Sequence, residues 1–251
     1  MTVPSLPVFA TPMGAAGAML LKRLEEAGFA AYFVGGCVRD SLLGRPVKDI
    51  DIATSALPEQ VMELFPNAVP TGIVHGTVTV PLSGWNYEVT TFRAESEYSD
   101  GRRPDSVSFI DDIRADLMRR DFTVNAMALD ARGGLVDPFG GRSDLAAKRL
   151  RAVGNPAERF AEDALRMLRL VRFAAEYGFV PEEATWHEAK LGAPKLAAVA
   201  MERVCGELER MISGAGPHRA LCLLRDSGLL RWTKTRLRLP VTLGLGDDPA
   251  T

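Results

Sequence analysis

The hydrophobic periodicity of the sequence changes near residue 144. Before that point, short runs in which polar and apolar residues alternate predict strands, and residues 75–82 and 85–92 predict a hairpin. After it, apolar residues recur with the spacing of helices. The pattern predicts an α+β fold, with a mixed-sheet head over residues 1–144, an all-helical segment over 145–230 and a loosely ordered tail over 231–251.

The composition is that of an ordinary globular protein. Hydrophobic residues make up 47% of the 251 residues, and 30 basic against 32 acidic residues give a net charge of -2, which excludes global disorder and a histone-like polycation. The three cysteines lack CxxC spacing and the three histidines lie far apart, which argues against a disulfide framework or a four-ligand zinc site. Because no apolar run approaches the ~20 residues that cross a bilayer, we expect a cytoplasmic protein without a membrane partner.

Two aspartates, Asp49 and Asp51, lie two residues apart in an alternating stretch. On a strand, such residues share one face while Ile50 and Ile52 point to the other. Neighbouring carboxylates repel each other unless a cation lies between them, and oxygen ligands of this kind suit Mg²⁺. The pair therefore predicts a magnesium site, and the alternative interpretation is a strand face with two solvated aspartates.

A third carboxylate, Glu88, lies in another alternating segment, with Asn86 and Thr90 on the same face. If this segment pairs with the strand of Asp49 and Asp51, three carboxylates converge. That arrangement suits two-metal phosphoryl or nucleotidyl transfer. Taken alone, Glu88 is equally compatible with an ordinary surface position on a strand.

The sequence GGCVRD at residues 35–40 falls between a predicted strand and a predicted helix. Its glycines allow close backbone approach, amide groups at a helix start favour phosphate, and Arg39 adds a donor fork suited to triphosphate oxygens. The structural alternative is a turn that needs glycine for its own geometry. Further along, Asn125 lies between apolar residues, so we expect it to be partly buried and hydrogen bonded.

Residues 158–173 are predicted to form a helix with a polar stripe at every third position. The stripe consists of Asp163, Arg166, Arg169 and Arg172. Its structural alternative is a face of i,i+3 ion pairs. Its functional interpretation is base selection, because cytosine and adenine each present an amine donor beside a ring-nitrogen acceptor, and a carboxylate with a guanidinium matches that pattern.

Together these stretches resemble the family of bacterial tRNA nucleotidyltransferases and poly(A) polymerases, the class II CCA-adding enzymes. The matching segments, in unbroken order over about residues 31–230, are GGCVRD, LLGRPVKDIDIAT, TGIVHGTVTV, YEVTTFR, YSDGRRPDSVSF, RRDFTVNAMA, DPFGG, ERFAEDALRMLRLVRF and ERVCGEL. Members of the family continue into helical body and tail domains. Here the likeness ends near Leu230, so the resemblance implies a chain without those domains.

The resemblance implies a polymerase-β-type nucleotidyltransferase head followed by a helical neck that selects the nucleotide. Its residue assignments are metal binding for Asp49 and Asp51, triphosphate contacts for Gly36 and Arg39, a further nucleotide contact for Arg120, base reading for Asp163 and Arg166, and two more nucleotide contacts for Arg169 and Arg172. Glu88 matches a strand glutamate of the family, and its role as a third carboxylate rests on the strand geometry above.

The resemblance predicts an Mg²⁺-dependent enzyme that adds CCA to tRNA 3′ ends from CTP and ATP and releases pyrophosphate. Within the family, the segments TGIVHGTVTV and YSDGRRP favour full CCA addition. Two alternatives stay open. One is a poly(A) or partial-end (CC- or A-adding) polymerase, and the other is an inactive relic that binds RNA or nucleotide. His75, between Gly72 and Gly76, is compatible with ordering a loop or with contacting substrate, and it is left unassigned because a structural histidine is the commoner case.

Overall fold

The computed structural model of the protein describes residues 6–95 and 107–237. These residues form two compact units, an N-terminal unit up to residue 145 and a C-terminal unit from residue 146. The predicted loop YSDGRRP and residues 238–251 of the predicted tail lie outside the described residues. No helix among the described residues is long and apolar enough to cross a membrane.

The N-terminal unit combines short helices with a mixed sheet. Its helices are α1 (Pro7–Ala10), α2 (Pro12–Glu26), α3 (Gly36–Leu42), α4 (Pro58–Leu64), α5 (Ile113–Met118) and α6 (Gly141–Ala146), with 3₁₀ turns at Ile73–His75 and Thr123–Asn125. Its strands are β1 (Ala31–Val34), β2 (Asp51–Thr54), β3 (Val69–Gly72), β4 (Thr77–Leu82), β5 (Trp85–Thr91), β6 (Arg93–Glu95), β7 (Val107–Phe109), β8 (Ala128–Leu129) and β9 (Leu135–Val136).

Seven of these strands form one sheet in the order β3-β4-β5-β2-β1-β8-β9. β2 and β5 run parallel, and the other neighbours in the sheet run antiparallel. The predicted mixed sheet is therefore confirmed. The predicted hairpin is also confirmed: β4 and β5 are joined by Ser83 and Gly84, both at positive φ (53° and 82°), as a tight turn with the twist of paired strands requires.

Helix α2 packs against the sheet through its apolar face, which includes the fully buried Leu20 and Leu24. A Cβ at Gly17 would lie 3.0 Å from the ring of Phe33 and 3.1 Å from that of Tyr87, so a glycine here lets the helix approach closely. The hydroxyl of Tyr87 donates a hydrogen bond to the carbonyl of Met13 at 2.6 Å. The packing of Tyr87 against α2 thus fixes the position of β5, the strand that carries Glu88.

The C-terminal unit is mainly helical. Its helices are α7 (Pro156–Glu162), α8 (Leu165–Tyr177), α9 (Glu183–Leu191), α10 (Met201–Ser213) and α11 (Pro217–Ser227), with 3₁₀ turns at Ala193–Ala198 and Leu229–Trp232. The prediction of an all-helical segment was wrong in one detail, because β10 (Arg149–Leu150) and β11 (Val180–Pro181) form a short parallel pair. The two strands lie 31 positions apart in the chain, so local periodicity could not reveal their pairing.

The predicted helix over residues 158–173 is interrupted. Asp163 adopts an extended conformation (φ -145°, ψ 103°) that ends α7, and its carboxylate accepts a hydrogen bond from the N–H of Leu165 at 3.1 Å, at the start of α8. Aspartate competes with helical hydrogen bonding in this way, which explains the break. The apolar side of α8 faces the core, since Leu168 and Val171 are fully buried.

The first residues of the predicted tail are packed. Thr233 is buried, and its hydroxyl donates to the carbonyl of Leu230 and accepts from the N–H of Leu237. These bonds continue the last 3₁₀ turn to the end of the described residues.

Candidate active site

The carboxylates predicted from the sequence lie on neighbouring strands. Asp51 is the first residue of β2, and its register partner on the parallel strand β5 is Glu88. Asp49 lies just before β2 and is exposed, whereas Ile50 is buried. The structure therefore brings Glu88 next to Asp51, which is the condition under which the sequence predicts converging carboxylates. We call Asp49, Asp51 and Glu88 the acidic edge.

The electrostatics of the acidic edge are unfavourable for three anions. The pKa of Asp51 is raised to about 6, first because neighbouring protein removes part of its hydration, and then because Asp49 and Glu88 repel its charge. The guanidinium of Arg120 acts in the opposite direction. Asp51 as a whole residue keeps solvent access, so water moderates these interactions.

The donor set of the acidic edge fits a hard cation. All three side chains offer oxygen, and a positive charge among them would relieve the repulsion that Asp49 and Glu88 exert on Asp51. Among the described residues, however, no three acidic, histidine or cysteine side chains are arranged as a ready metal cluster. Asp49 and Asp51, which the sequence predicts as metal ligands, offer oxygen atoms that a divalent cation could bind together with other oxygen ligands.

A glycine turn lies beside the acidic edge. Gly35 precedes α3 at φ +73°, and a Cβ there would lie 2.9 Å from Nη1 of Arg120 and 3.9 Å from Oδ2 of Asp51. Gly35 is thus required both by its backbone conformation and by the close approach of Arg120. At Gly36, by contrast, a Cβ would make only an ordinary 3.5 Å contact with Arg39, so the protein's own packing does not require that second glycine.

Arg39 is buried and firmly held. Its Nε and Nη2 donate to the two carboxylate oxygens of Asp40 at 3.0 and 2.9 Å, and its Nη1 donates to Oδ1 of Asn125 at 2.6 Å. Asn125 in turn donates to Oδ1 of Asp121 at 3.0 Å. The expectation that Asn125 is buried and hydrogen bonded is confirmed, and its bonds join α3 to the 3₁₀ turn that follows Phe122.

Cys37 lies under the same turn. It is buried, and its thiol donates to the carbonyl of Val34 at 3.2 Å. Burial first, and the nearby carboxylate of Asp51 second, raise the pKa of this thiol to about 12. A thiol held protonated in this way packs the turn and does not act as a nucleophile.

In the C-terminal unit, Asp163 is held by an arginine that the sequence analysis missed. Nη1 and Nη2 of Arg203 on α10 donate to the two oxygens of Asp163 at 3.2 and 2.8 Å. This bidentate pair fixes the plane of the carboxylate. Arg203 lies in the segment ERVCGEL, which matched the family, so the signal was present in the sequence even though its partner was not evident.

The three arginines of the stripe are also paired with carboxylates. Nη1 of Arg166 donates to Oε2 of Glu162 at 2.7 Å. Arg172 donates through Nε to Oε2 of the buried Glu207 at 2.7 Å, and Nη1 of Arg169 lies 3.8 Å from Oε1 of the same side chain. The stripe is therefore held by i,i+4 pairs and by pairs between helices, not by the i,i+3 pairs within it that the structural alternative predicts.

The fold and the acidic edge define a nucleotidyltransferase head of the polymerase-β type, joined to a helical unit. The family profile described as "Poly A polymerase head domain" matches residues 31–151, and the one described as "Probable RNA and SrmB- binding site of polymerase A" matches residues 178–233. The chain belongs to the tRNA nucleotidyltransferase and poly(A) polymerase family, as the resemblance indicated.

Curated relatives are similar to this chain over most of its length. CCA-adding enzymes of Geobacillus stearothermophilus and Limosilactobacillus fermentum are 50% and 51% identical to it over 210 residues, which is 84% of this chain and 52% of each relative. The structure of the Bacillus stearothermophilus CCA-adding enzyme in complex with CTP matches with a TM-score of 0.83 and 44% identity, covering 92% of this chain and 55% of that one. The chain spans about half the length of the curated relatives it matches.

A more distant structure shows the same fold. The Thermotoga maritima CCA-adding enzyme complexed with tRNA-CCA matches with a TM-score of 0.73 and 26% identity, over 89% of this chain and 53% of that one.

Proposed function

We propose that this chain adds C, C and A to the 3′ end of tRNA from CTP and ATP. The observation that carries the proposal is the register of Asp51 with Glu88, beside Asp49, in a chain about 50% identical to CCA-adding enzymes. Relatives whose names mention CTP and tRNA support the choice of substrates.

The reaction is a phosphoryl transfer in which the protein mainly positions the reactants. The terminal 3′-oxygen of the RNA forms a bond to the α-phosphorus, the bond from that phosphorus to the oxygen bridging to the β-phosphate breaks, and pyrophosphate leaves with the electron pair. The proton of the 3′-hydroxyl passes to solvent. When bound, Mg²⁺ supplies Lewis-acid activation and neutralises phosphate charge. Asp49 and Asp51 are the residues that we propose hold it, with Glu88 adding negative charge beside them.

The triphosphate is assigned to the glycine turn and two arginines. The packing of the protein would tolerate a side chain at Gly36, because a Cβ there would make only an ordinary contact. A glycine at this position therefore supports close approach of a phosphate group to the backbone. Arg120, two residues after the end of α5, reaches the turn, and Arg39 is held by Asp40 and Asn125. Guanidinium groups that are held in place before the ligand arrives bind phosphate oxygens with little loss of entropy.

Base selection is assigned to the C-terminal unit. Asp163 accepts from the exocyclic amine of cytosine or adenine, and Arg166 donates to the ring nitrogen. Uracil and guanine reverse part of this pattern and leave buried polar groups unpaired. Arg203 and Glu162 hold the two reading groups, while Arg169 and Arg172 are proposed to make the remaining nucleotide contacts.

The test is addition by this chain to tRNA that lacks its terminal CCA, with each nucleoside triphosphate supplied singly and together. Extension by three nucleotides with CTP and ATP, and none with UTP or GTP, is the expected result. Longer adenosine tracts or arrest after CC would indicate the poly(A) or partial-end alternative. Nucleotide binding without extension would indicate the relic. Incorporation of UTP as readily as CTP would contradict the roles of Asp163 and Arg166.

A further inference from the structure

The guanidinium of Arg120 lies between the glycine turn and a buried carboxylate. On one side, its Nη1 comes within 2.9 Å of the Cβ position of Gly35, next to Asp51. On the other side, its Nη2 is 3.5 Å from Oδ2 of Asp116. Arg120 thus lies near two carboxylates, that of Asp51 at the acidic edge and that of Asp116 in the interior.

Asp116 is the interior anion. Only 1% of its side chain is exposed. Its Oδ1 accepts a hydrogen bond from Nε of Arg119 at 3.0 Å and one from the N–H of Arg93 at 3.3 Å. The second bond ties the carboxylate to the backbone of β6, and the guanidinium of Arg93 donates to the carbonyl of His75. These bonds therefore fix the position of the Asp116 carboxylate inside the N-terminal unit.

The contact between Asp116 and Arg120 is incompletely satisfied. Among the described residues, neither Oδ2 of Asp116 nor Nε of Arg120 has a hydrogen-bond partner, although both are buried. Buried polar atoms without partners are costly and rare in native proteins, so each calls for an explanation. Hydrogen bonds at active sites are often long before the ligand binds and tighten in the complex.

We propose that Asp116 is a positioning residue, whose buried carboxylate holds the guanidinium of Arg120 against the Gly35 turn so that it meets the triphosphate of the incoming nucleotide. This inference rests on the proposed function. Asp116 itself is buried away from solvent, so it acts through Arg120 and does not touch the nucleotide.

The consequence of losing Asp116 follows from the charges around Arg120. With the interior anion gone, the charge of Asp51, one of the two proposed metal ligands, still acts on Arg120 from beside the same glycine turn. The guanidinium would be drawn towards the acidic edge, where it competes with the cation and is taken away from the triphosphate. Binding of nucleotide would weaken, while the reacting groups themselves would be unchanged.

The experiment is a double-mutant cycle on the full chain, with CTP addition to tRNA lacking CCA as the readout. Asp116→Asn keeps the size of the side chain and removes its charge, and the KM for CTP is expected to rise about tenfold with kcat changed less than about threefold. In an Arg120→Lys background, the same substitution is expected to change KM by less than about twofold, because residues that act through one another are not additive.

Two further variants separate positioning from folding. Thr91→Val removes a buried hydrogen bond to the carbonyl of Ala56 in the same unit and is expected to lower the melting temperature without changing KM. Asp116→Glu retains the charge but moves it by one methylene group, so it serves if Asp116→Asn does not fold. Its KM is expected to rise about threefold or more in the Arg120 parent and not in the Arg120→Lys background.

An unchanged KM in both Asp116 variants, or an equal rise with and without Arg120, would overturn the inference. CTP binding by titration separates it from the proposed function. If the wild-type chain binds CTP but does not extend RNA, the proposed function fails, and a tenfold rise in the Kd for CTP in Asp116→Asn still supports the role of Asp116. A wild-type chain that binds no CTP would overturn both.

Discussion

The two charged clusters of this chain are built on opposite principles. The acidic edge brings like charges together, so that Asp49 and Glu88 help to raise the pKa of Asp51 to about 6. The cluster of the C-terminal unit brings opposite charges together: Asp163 is paired with Arg203, and the buried Glu207 lies among arginines. The first cluster carries repulsion in the ligand-free protein, whereas the second neutralises itself.

This difference indicates what each cluster is suited to bind. Repelling carboxylates gain most from a cation, so the acidic edge sacrifices stability in the free protein for affinity towards a positive ligand. Paired charges have little to gain from an ion. What they provide is a fixed orientation of donors and acceptors, which is the requirement for discriminating one planar base from another.

The largest effect is expected from Asp51→Asn. Removing a proposed metal ligand should slow nucleotide addition by about a thousandfold, while the metal-free protein should melt at a higher temperature because Asp49 and Glu88 lose a repelling neighbour. Single-turnover addition of CMP to tRNA lacking CCA and thermal unfolding in a chelator measure the two effects. Wild-type activity in Asp51→Asn would contradict the role of Asp51 as a metal ligand. A lower melting temperature would contradict the repulsion that distinguishes the acidic edge from the second cluster.

Next in size is the effect of Asp163→Asn on base selection. Because an amide presents donors as well as an acceptor, the preference for CTP over UTP, as a ratio of kcat/KM, is expected to fall roughly ten- to a hundredfold. Asp226→Asn is the matched control, since Asp226 belongs to an exposed pair with Arg225 in the same unit. A preference that survives Asp163→Asn would contradict base reading by this cluster.

Glu207→Gln tests whether the second cluster stabilises the fold. Only 2% of the Glu207 side chain is exposed, and it pairs with Arg172 and Arg210, so loss of its charge is expected to lower the free energy of unfolding by about 2 kcal/mol. Urea denaturation measures the change. A higher free energy of unfolding in this variant would show that the charges of the second cluster, like those of the first, destabilise the folded protein.

Gly36→Ala separates stability from binding at the glycine turn. Alanine is favoured over glycine in a helix, so the variant is expected to gain about 0.5 kcal/mol of stability, yet its KM for CTP should rise severalfold if phosphate approaches the backbone there. Gly206→Ala is the control, because a Cβ at Gly206 in α10 meets nothing within 4 Å. Equal KM values for the two variants would contradict the proposed contact between Gly36 and the triphosphate.

The last prediction concerns pH, and its size is reduced because solvent at the exposed Asp51 screens the charges around it. The pKa of Asp51 is about 6 in the folded protein and near 4 when unfolded, so between these values the folded state binds the extra proton. Stability of the metal-free protein should therefore fall as pH rises from about 4 to about 6 and level off above. The difference between wild type and Asp51→Asn across this range, by urea denaturation, isolates the contribution. Saturating Mg²⁺ should abolish or reverse the fall, because a bound cation favours the ionised carboxylate in the folded state.

Much of the site could be predicted because its signals are local. The alternation around Ile50 and Ile52 correctly predicts that the two aspartates lie on the exposed side of their segment, although only Asp51 belongs to the strand, and the change of period near residue 144 separates sheet from helix. Such patterns depend on residues within a few positions of one another, so the chain displays them before any tertiary contact is known.

Other features were decided by packing between distant segments. The sequence alone does not state that Glu88 is the register partner of Asp51, that Arg203 pairs with Asp163 at a distance of 40 positions in the chain, or that Arg120 lies beside Gly35. Strand register and ion-pair partners follow from how whole elements bury their apolar faces against each other. The local sequence pattern determined which carboxylates and arginines this protein carries, and the tertiary structure determined which of them lie close together.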